Sequence, residues 1–114
     1  MPKVYITNRG CHDFSAATEF GELIYLTTGK FNLTSLGAMY RHMAPILSTS
    51  TPEDYILVCG PTVMNMVATS IFTGLHNRLN LLLYSVGKDN IGRYKRRHLT
   101  LTTIFDDCDE GTRL

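Results

Sequence analysis

The chain has 114 residues, of which 44% are apolar, and a formal net charge of +1. This length suits one domain around a single core, and the near-neutral charge does not favour a nucleic-acid-binding class. No apolar run approaches the roughly 18 residues of a membrane span, and the chain starts with a β-rich segment rather than a signal-peptide apolar region, so we expect a cytoplasmic protein with no membrane contact.

The first predicted elements are a strand and a short helix. Lys3–Thr7 is rich in β-forming residues and ends at an Asn-Arg-Gly sequence, which predicts a strand and its loop. Residues 14–20 are compatible with two helical turns, with Asp13 as the N-cap and Gly21 as the left-handed residue at the C-terminus.

A second strand and a longer helix are predicted next. Residues 22–27 form the strand, and its connection to the first strand is shorter than is usual for a parallel crossover, so their pairing is left open. Apolar residues at spacings of three and four predict a helix from Asn32, its cap, with one buried stripe. Pro45 should weaken the last turn by removing an amide donor. The stripe consists of Leu33, Leu36, Tyr40, Met43 and Leu47.

The central predicted strand is the unbroken apolar run Asp54–Cys59. A strand that is apolar on both faces is typical of the interior of a parallel sheet covered by helices. Pro61 suits the first position of the following helix, where its missing N–H would be unpaired anyway. Apolar residues on more than one face of Val63–Leu75 predict either deep burial or contact with a second subunit in a homodimer.

The last two predicted strands differ in charge. Leu79–Ser85 is strongly apolar, whereas Tyr94–Phe105 carries Lys and Arg residues that suit the edge of a sheet. Residues 106–114 follow as an acidic tail. We therefore assign residues 1–105 to a single α/β domain.

Together these elements predict a small Rossmann-like three-layer sandwich with a mostly parallel sheet of four to five strands. In open α/β sheets, ligands bind outside the carboxyl ends of the strands, because loops and helix N-termini converge there. The candidate ligand-binding residues are Asn8, Arg9, Cys11, His12 and Asp13 after the first strand, Gly60, Thr62 and Asn65 after the central strand, and Ser85 and Lys88 after the next.

The Gly60-Pro61-Thr62 turn is not a phosphate loop, since the chain lacks the Gly-x-x-x-x-Gly-Lys-Ser/Thr pattern. No Gly-x-Gly-x-x-Gly follows the first strand either, which argues against a classical nucleotide triphosphatase or dinucleotide enzyme. The free amides of the helix, with the Thr62 hydroxyl and the Asn65 amide, could still hold a phosphate or a base edge. The alternative is that Thr62 only caps the helix.

The Asn8–Asp13 loop contains the densest set of reactive side chains. His12 and Asp13 could form a general base and its orienting carboxylate, although adjacent residues of an extended segment point apart. Cys11 would be a nucleophile only if Arg9 or the helix N-terminus favoured its thiolate. A structural role for this loop is favoured over catalysis. A ligand-binding role, with the Arg9 guanidinium on a phosphate, stays open beside it.

The cysteines do not indicate a disulfide framework or a zinc site. Cys11, Cys59 and Cys108 are odd in number and lack Cys-x-x-Cys spacing, so we expect reduced thiols. We predict no metal and no cofactor.

The basic stretch Arg93–His98 places four cations around Tyr94, as in surfaces that follow a nucleic-acid backbone and stack one base. One such stretch in a nearly neutral protein favours a solvated edge strand instead. We therefore do not predict a nucleic-acid partner.

Five segments carry a family resemblance, namely Lys3–Ala17, Phe20–Leu23, Met39–Arg41, Pro52–Tyr55 and Asn77–Leu82. In these segments the chain resembles small uncharacterised proteins encoded by tailed bacteriophages. The resemblance covers roughly residues 3–87 and implies a phage accessory protein that acts in the bacterial cytoplasm, without implying a reaction or a catalytic residue. The architecture also resembles small Rossmann-like sensors and viral sequestering proteins that bind signalling nucleotides, a likeness of fold that does not fix function.

The leading hypothesis is that a homo-oligomer binds or sequesters a nucleotide without catalysis and so acts on host defence or metabolism. The alternative is a protein-binding inhibitor of a host enzyme, with the Val63–Leu75 helix or the basic edge strand as its interface. The third is a small phosphodiesterase or nuclease that uses His12 and Asp13.

Overall fold

A computed structural model describes residues 1–10 and 12–101 of the chain. The predicted acidic tail and the end of the last predicted strand lie outside the described residues. The described residues form five strands and two α-helices, with a short 3₁₀ helix after the first strand and no helix between the last two strands. The elements are β1 Lys3–Ile6, the 3₁₀ helix Ser15–Phe20, β2 Glu22–Tyr25, α1 Leu36–Leu47, β3 Tyr55–Leu57, α2 Thr62–His76, β4 Arg78–Val86 and β5 Gly92–Thr100.

The five strands form one mixed sheet in the order β2-β1-β3-β4-β5. The first three pairings are parallel, including the pairing of β1 with β2 that the sequence left open. The prediction of a mostly parallel sheet is wrong, because the antiparallel β4–β5 pairing has nine residue pairs, as many as the parallel pairings together. The basic strand β5 occupies a sheet edge, as its charge predicted.

A tight turn makes the last strand antiparallel. The amide of Asn90 donates to the carbonyl of Gly87 at 2.9 Å, and Asn90 adopts a left-handed φ of 65°. The amide of Ile91 donates to the Asp89 carboxylate at 3.0 Å. A connection this short can join only antiparallel strands, since a parallel pairing needs a crossover of a dozen or more residues.

The connections cover opposite faces of the sheet. Tyr5 packs with α1 and α2 in one core cluster, whereas Val4 and Ile6 pack with the 3₁₀ helix in the other. In the sheet, β2 lies on one side of β1 and β3 lies on the other, so the connection from β1 to β2 and the connection from β2 to β3 run in opposite directions across the sheet. Because both crossovers between parallel strands are right-handed, they must lie on opposite faces of the sheet. Among the described residues, no helix is long and apolar enough to cross a membrane.

The buried stripe of α1 differs from the prediction. Met39, Met43 and Leu47 are fully buried, whereas Leu36 and Tyr40 are each 57% exposed. The helix starts at Leu36 rather than at residue 32, because the Asn32 carboxamide accepts the amide of Thr34 and stabilises a turn before the helix. Spacing alone did not identify which of two adjacent apolar stripes faces the sheet.

Two predicted helix ends are also corrected. Gly21 has a φ of 154° rather than a left-handed helical conformation, and a Cβ there would overlap the carbonyl of Pro2, so glycine permits a close backbone approach. Pro61 precedes α2 instead of starting it, and its carbonyl accepts the amide of Met64 at 3.1 Å.

Candidate functional site

The candidate site lies at the carboxyl ends of the neighbouring strands β1 and β3, where the connections of the sheet change direction. The chain leaves β1 towards β2 on one side and leaves β3 towards β4 on the other, so the two connections diverge. In open α/β sheets such a divergence leaves a crevice that binds ligands. The Thr7 hydroxyl joins the two strand ends here by donating to the carbonyl of Cys59 at 3.2 Å.

A cleft of about 340 Å³ opens at this edge, and we call it the switch-point cleft. It brings His12 and Asp13 of the first predicted loop together with Gly60 of the second. It also contains aromatic groups that were not among the predicted site residues. The lining residues are His12, Asp13, Phe14, Val58, Cys59, Gly60, Tyr84 and Tyr94.

Tyr84 and Tyr94 form an aromatic wall of the cleft. They lie directly opposite each other in the β4–β5 pair, with ring centroids 5.3 Å apart in an edge-to-face arrangement. Burial raises the pKa of Tyr94, so its hydroxyl is neutral at physiological pH. The sequence could have predicted this wall only through the pairing register of the β4–β5 hairpin. That register depends on where the turn at residues 87–91 begins.

Cys59 lies in the floor of the cleft as a half-buried thiol. Burial raises its pKa, and the Thr7 hydroxyl oxygen lies 3.9 Å from its sulfur. A raised pKa keeps the thiol protonated at neutral pH, whereas a nucleophilic cysteine requires the thiolate. The environment of Cys59 therefore does not support a covalent role.

The Asp13 carboxylate contributes a negative charge to the cleft. Its Oδ1 accepts the amide of Ser15 at 2.9 Å, and this bond lowers the pKa of the carboxyl group. Within the described residues, no hydrogen bond joins Asp13 to His12, whose ring lies instead 6.1 Å from that of Phe14. The N-cap of the 3₁₀ helix is Phe14 rather than the predicted Asp13, which holds the amide of Ser15 from one residue earlier in the chain. The His12 and Asp13 side chains do not form a general-base pair.

Arg9 lies beside the cleft on the same face of the sheet. Its guanidinium carbon is 5.3 Å from the centroid of the Tyr25 ring. The Tyr25 ring is 6.4 Å from that of Phe14, which lines the cleft. Arg9 is exposed, so its donors are accessible to an anion at the rim of the cleft.

Comparison with known proteins identifies a family for this chain. The family model of the Phage Pam3 gp32-like protein matches residues 2–98. The chain belongs to the Phage Pam3 gp32-like protein family. The predicted resemblance to small phage-encoded proteins is thereby confirmed. No match was found among curated proteins or solved structures.

Two of the predicted site residues of this phage protein are engaged in the fold. The Asn8 amide donates to the carbonyl of Gly29 at 2.9 Å, and its oxygen accepts the amide of Gly10 at 3.0 Å. The Asn65 amide nitrogen donates to the carbonyl of Cys59 at 2.8 Å, while its oxygen accepts the Cys59 amide at 3.4 Å. These carboxamides hold the two loops that flank the cleft.

Three other predicted residues do not line the switch-point cleft of the phage protein. Thr62 is the exposed first residue of α2. Ser85 points to the face opposite its neighbour Tyr84, because strand side chains alternate. Lys88 is exposed in the turn between β4 and β5, and Cys11 lies outside the described residues. Within residues 1–10 and 12–101, no cluster of metal-ligating side chains is present.

Proposed function

We propose that this protein binds a nucleotide in the switch-point cleft without chemical change, in the cytoplasm of the bacterial host. One observation carries the proposal: Tyr84, Tyr94 and Asp13 converge on one cavity where the strand order reverses. The order β2-β1-β3-β4 is that of doubly wound, Rossmann-like sheets, in which nucleotides bind at this crevice. The antiparallel β5 supplies an aromatic wall that a fully parallel sheet would lack.

The aromatic wall suits the base of a nucleotide. A base can stack on the ring of Tyr84, which is 58% exposed, and such stacking contributes about 1–3 kcal/mol per base. The ionised Asp13 carboxylate accepts hydrogen bonds but cannot donate them, so it selects a base with N–H donors. Guanine offers a ring N–H beside an amino group, a pair that matches the two oxygens of a carboxylate.

The phosphate of such a ligand would lie away from Asp13, because like charges repel. Arg9 provides the cation on the other side of Phe14, and a guanidinium binds phosphate with two parallel hydrogen bonds. Neither the protonated Cys59 thiol nor the unpaired arrangement of His12 and Asp13 favours cleavage of the ligand. The proposed role is therefore binding or sequestration of the nucleotide, directed against host defence or metabolism.

Calorimetric titration with guanosine and adenosine mono-, di- and cyclic nucleotides tests this proposal. Tyr84→Ala should weaken the binding of the preferred nucleotide by about tenfold or more, as expected for a lost stacking contact. The matched control is Tyr40→Ala, since Tyr40 has a similar exposure of 57% but lies on α1. Equal losses in both variants, or no binding at millimolar nucleotide, would contradict the proposal.

A second candidate function, inhibition of a host enzyme by protein binding, is favoured by an apolar groove between α1 and α2. The groove has a volume of about 590 Å³, and its lining residue Met66 is 61% exposed. Its lining residues are Leu36, Tyr40, Val63, Met66, Val67, Ser70 and Ile71. The same groove is the surface through which we expect two copies of the chain to meet if the protein forms a homodimer.

Two measurements on Met66→Glu separate these uses of the groove. Loss of a dimer in sedimentation velocity would assign the groove to a second copy of the chain. A stoichiometric host protein that binds the purified wild type, survives Arg9→Ala and is lost in Met66→Glu would instead support the inhibitor function.

A further inference from the structure

A second cleft lies at the opposite edge of the sheet, where the parallel strands begin. Its volume is about 460 Å³, and it shares no lining residue with the switch-point cleft. We call it the basic cleft, because three arginines and a histidine line it. The lining residues are Pro2, Glu53, Tyr55, Arg78, Asn80, Arg96, Arg97 and His98.

The register of β5 divides the basic stretch of the sequence between the two faces of the sheet. Arg96 pairs with Leu82 and His98 pairs with Asn80, so both basic side chains point to the face of the 3₁₀ helix. Alternation places Lys95 on the other face. Arg96 and His98 therefore reach the basic cleft from this face of the sheet, and Arg97 also lines it.

A buried asparagine holds Arg78 in place. Asn80 is 2% exposed, and its amide nitrogen donates to the carbonyls of Pro52 at 2.6 Å and Asp54 at 2.8 Å. Its oxygen accepts the Nε–H of Arg78 at 2.8 Å. Because Asn80 is fixed by two backbone bonds, it orients the Arg78 guanidinium and leaves the terminal nitrogens of that group facing the cleft.

An aromatic pair supports Arg96. Its guanidinium carbon lies 5.9 Å from the centroid of the Phe20 ring, and Phe20 packs edge-to-face on Tyr55 with centroids 6.0 Å apart. A guanidinium on an aromatic ring keeps its in-plane donors free. The cleft thus contains two arginines that are each oriented by a different part of the fold.

The charge of Glu53 only partly balances these cations. Its carboxylate lies 3.8 Å from Arg78, with side-chain exposures of 68% for Glu53 and 36% for Arg78. An exposed pair at this distance contributes little, so an incoming anion can replace it. Among the described residues that line the cleft, the positive charges therefore outnumber the negative charge of Glu53.

We propose that the basic cleft binds a phosphate group, as inorganic phosphate or a phosphomonoester, between Arg78 and Arg96, with His98 as a further donor. Arginine forks match the tetrahedral oxygens of phosphate, and two pre-oriented arginines lose little freedom on binding. This site is independent of the proposed nucleotide site, because the two clefts lie at opposite edges of the sheet.

The test is a titration with inorganic phosphate at constant ionic strength, followed by amide NMR shifts. Arg96→Ala should weaken binding by about tenfold or more, because it removes charge-assisted hydrogen bonds. The matched control is Lys95→Ala, which removes one positive charge from the adjacent residue on the opposite face and should change affinity by less than about twofold. Equal effects of the two variants would show diffuse charge attraction and overturn the site.

Glu53→Gln gives a result of opposite sign. Removing the competing carboxylate should strengthen phosphate binding severalfold, an effect that damage to the fold would not produce. The phosphate-induced shifts should lie at residues 78–80 and 96–98, so shifts confined to residues 12–14 and 58–60 would move the phosphate to the switch-point cleft. Absence of saturable shifts at millimolar phosphate would also overturn the proposal, whatever the outcome of the nucleotide titrations.

Discussion

The ring of Tyr84 lies across Gly92, and this contact positions the aromatic wall of the switch-point cleft. A Cβ at Gly92 would overlap the hydroxyl oxygen and the ring of Tyr84. Gly92 is the first residue of β5 and pairs with Val86, so Tyr84 crosses the hairpin diagonally. Glycine here provides space for an aromatic ring on a neighbouring strand.

Replacement of Gly92 by alanine should expel the Tyr84 ring from this position. The edge-to-face contact with Tyr94 would be lost, and the free energy of unfolding should fall by about 0.5–1.5 kcal/mol in urea denaturation. The same substitution made in a Tyr84→Ala background should cost much less, since the clash is absent. Equal costs in both backgrounds would show that Gly92 acts through its backbone instead.

Gly74→Ala provides a control with the opposite sign. Gly74 is an exposed residue of α2, and nothing lies within 4 Å of the Cβ that it would acquire. Alanine is favoured over glycine in a helix, so the free energy of unfolding should rise by about 0.5–1 kcal/mol. A decrease would mean that this face of α2 is in contact with another molecule.

Asn65 and Thr62 should behave differently although both were predicted to bind the ligand. Asn65→Ala removes the hydrogen bonds of the Asn65 carboxamide to the amide and the carbonyl of Cys59 and should lower the free energy of unfolding by about 1–3 kcal/mol. Thr62→Ala changes an exposed side chain and should stay within about 0.5 kcal/mol of wild type. Urea denaturation compares the two, and equal costs would refute the structural role of Asn65.

The positions of the strands in the chain were predicted from the sequence better than the direction in which each strand pairs with its neighbour in the sheet. The apolar run at Asp54–Cys59 correctly indicated an interior parallel strand, and the charge of β5 correctly indicated an edge. The direction of β5 was missed because it depends on the Asn90 turn rather than on the strand itself. Hydrophobic periodicity predicts which side chains of a strand face the core, but it does not predict which neighbouring strand it pairs with or in which direction.

The lining of the switch-point cleft was predicted from the sequence only in part. Reasoning from strand ends placed Asp13 and Gly60 at one edge, where they do share a cleft. It could not recognise that Asn65 is already hydrogen-bonded to Cys59, or that Tyr84 comes from the middle of a neighbouring hairpin. Both facts depend on contacts in the folded protein that no sequence motif indicates.

Tyr5→Phe should stabilise the protein. The Tyr5 hydroxyl is fully buried, and within the part of the chain that the structure describes no group meets the geometry of a hydrogen bond to it, although the Thr49 side chain is close enough to lower its pKa slightly against the effect of burial. Removing an unpaired buried hydroxyl should raise the free energy of unfolding by about 1 kcal/mol, whereas Tyr40→Phe on the surface should change it by less than about 0.5 kcal/mol. A loss of stability in Tyr5→Phe would reveal a partner for the hydroxyl.

The same variant has a pH signature. Burial raises the pKa of Tyr5 in the folded protein. The unfolded chain therefore releases the Tyr5 proton first, and the free energy of unfolding falls as the pH rises from the unfolded-state pKa of about 10 through the higher folded value. The alkaline loss of stability should be smaller in Tyr5→Phe than in wild type, as measured by urea denaturation across this pH range.

Cys59 should react slowly with alkylating reagents at neutral pH. In a chain with Cys11 and Cys108 replaced by serine, the rate with iodoacetamide should keep rising above pH 9.0, the ordinary pKa of the thiol, because burial raises the pKa of Cys59. The same chain in denaturant should level off earlier. A folded protein that reaches its maximal rate below pH 9.0 would instead have an activated thiolate.

Amide NMR spectra of the labelled protein during titration with guanosine monophosphate test the nucleotide proposal most directly. We predict saturable shifts at residues 12–14 and 58–60, and at Tyr84 and Tyr94, in addition to any shifts that the phosphate group of the nucleotide causes in the basic cleft. No shifts at millimolar nucleotide, or shifts confined to the basic cleft, would contradict a nucleotide site at the switch point.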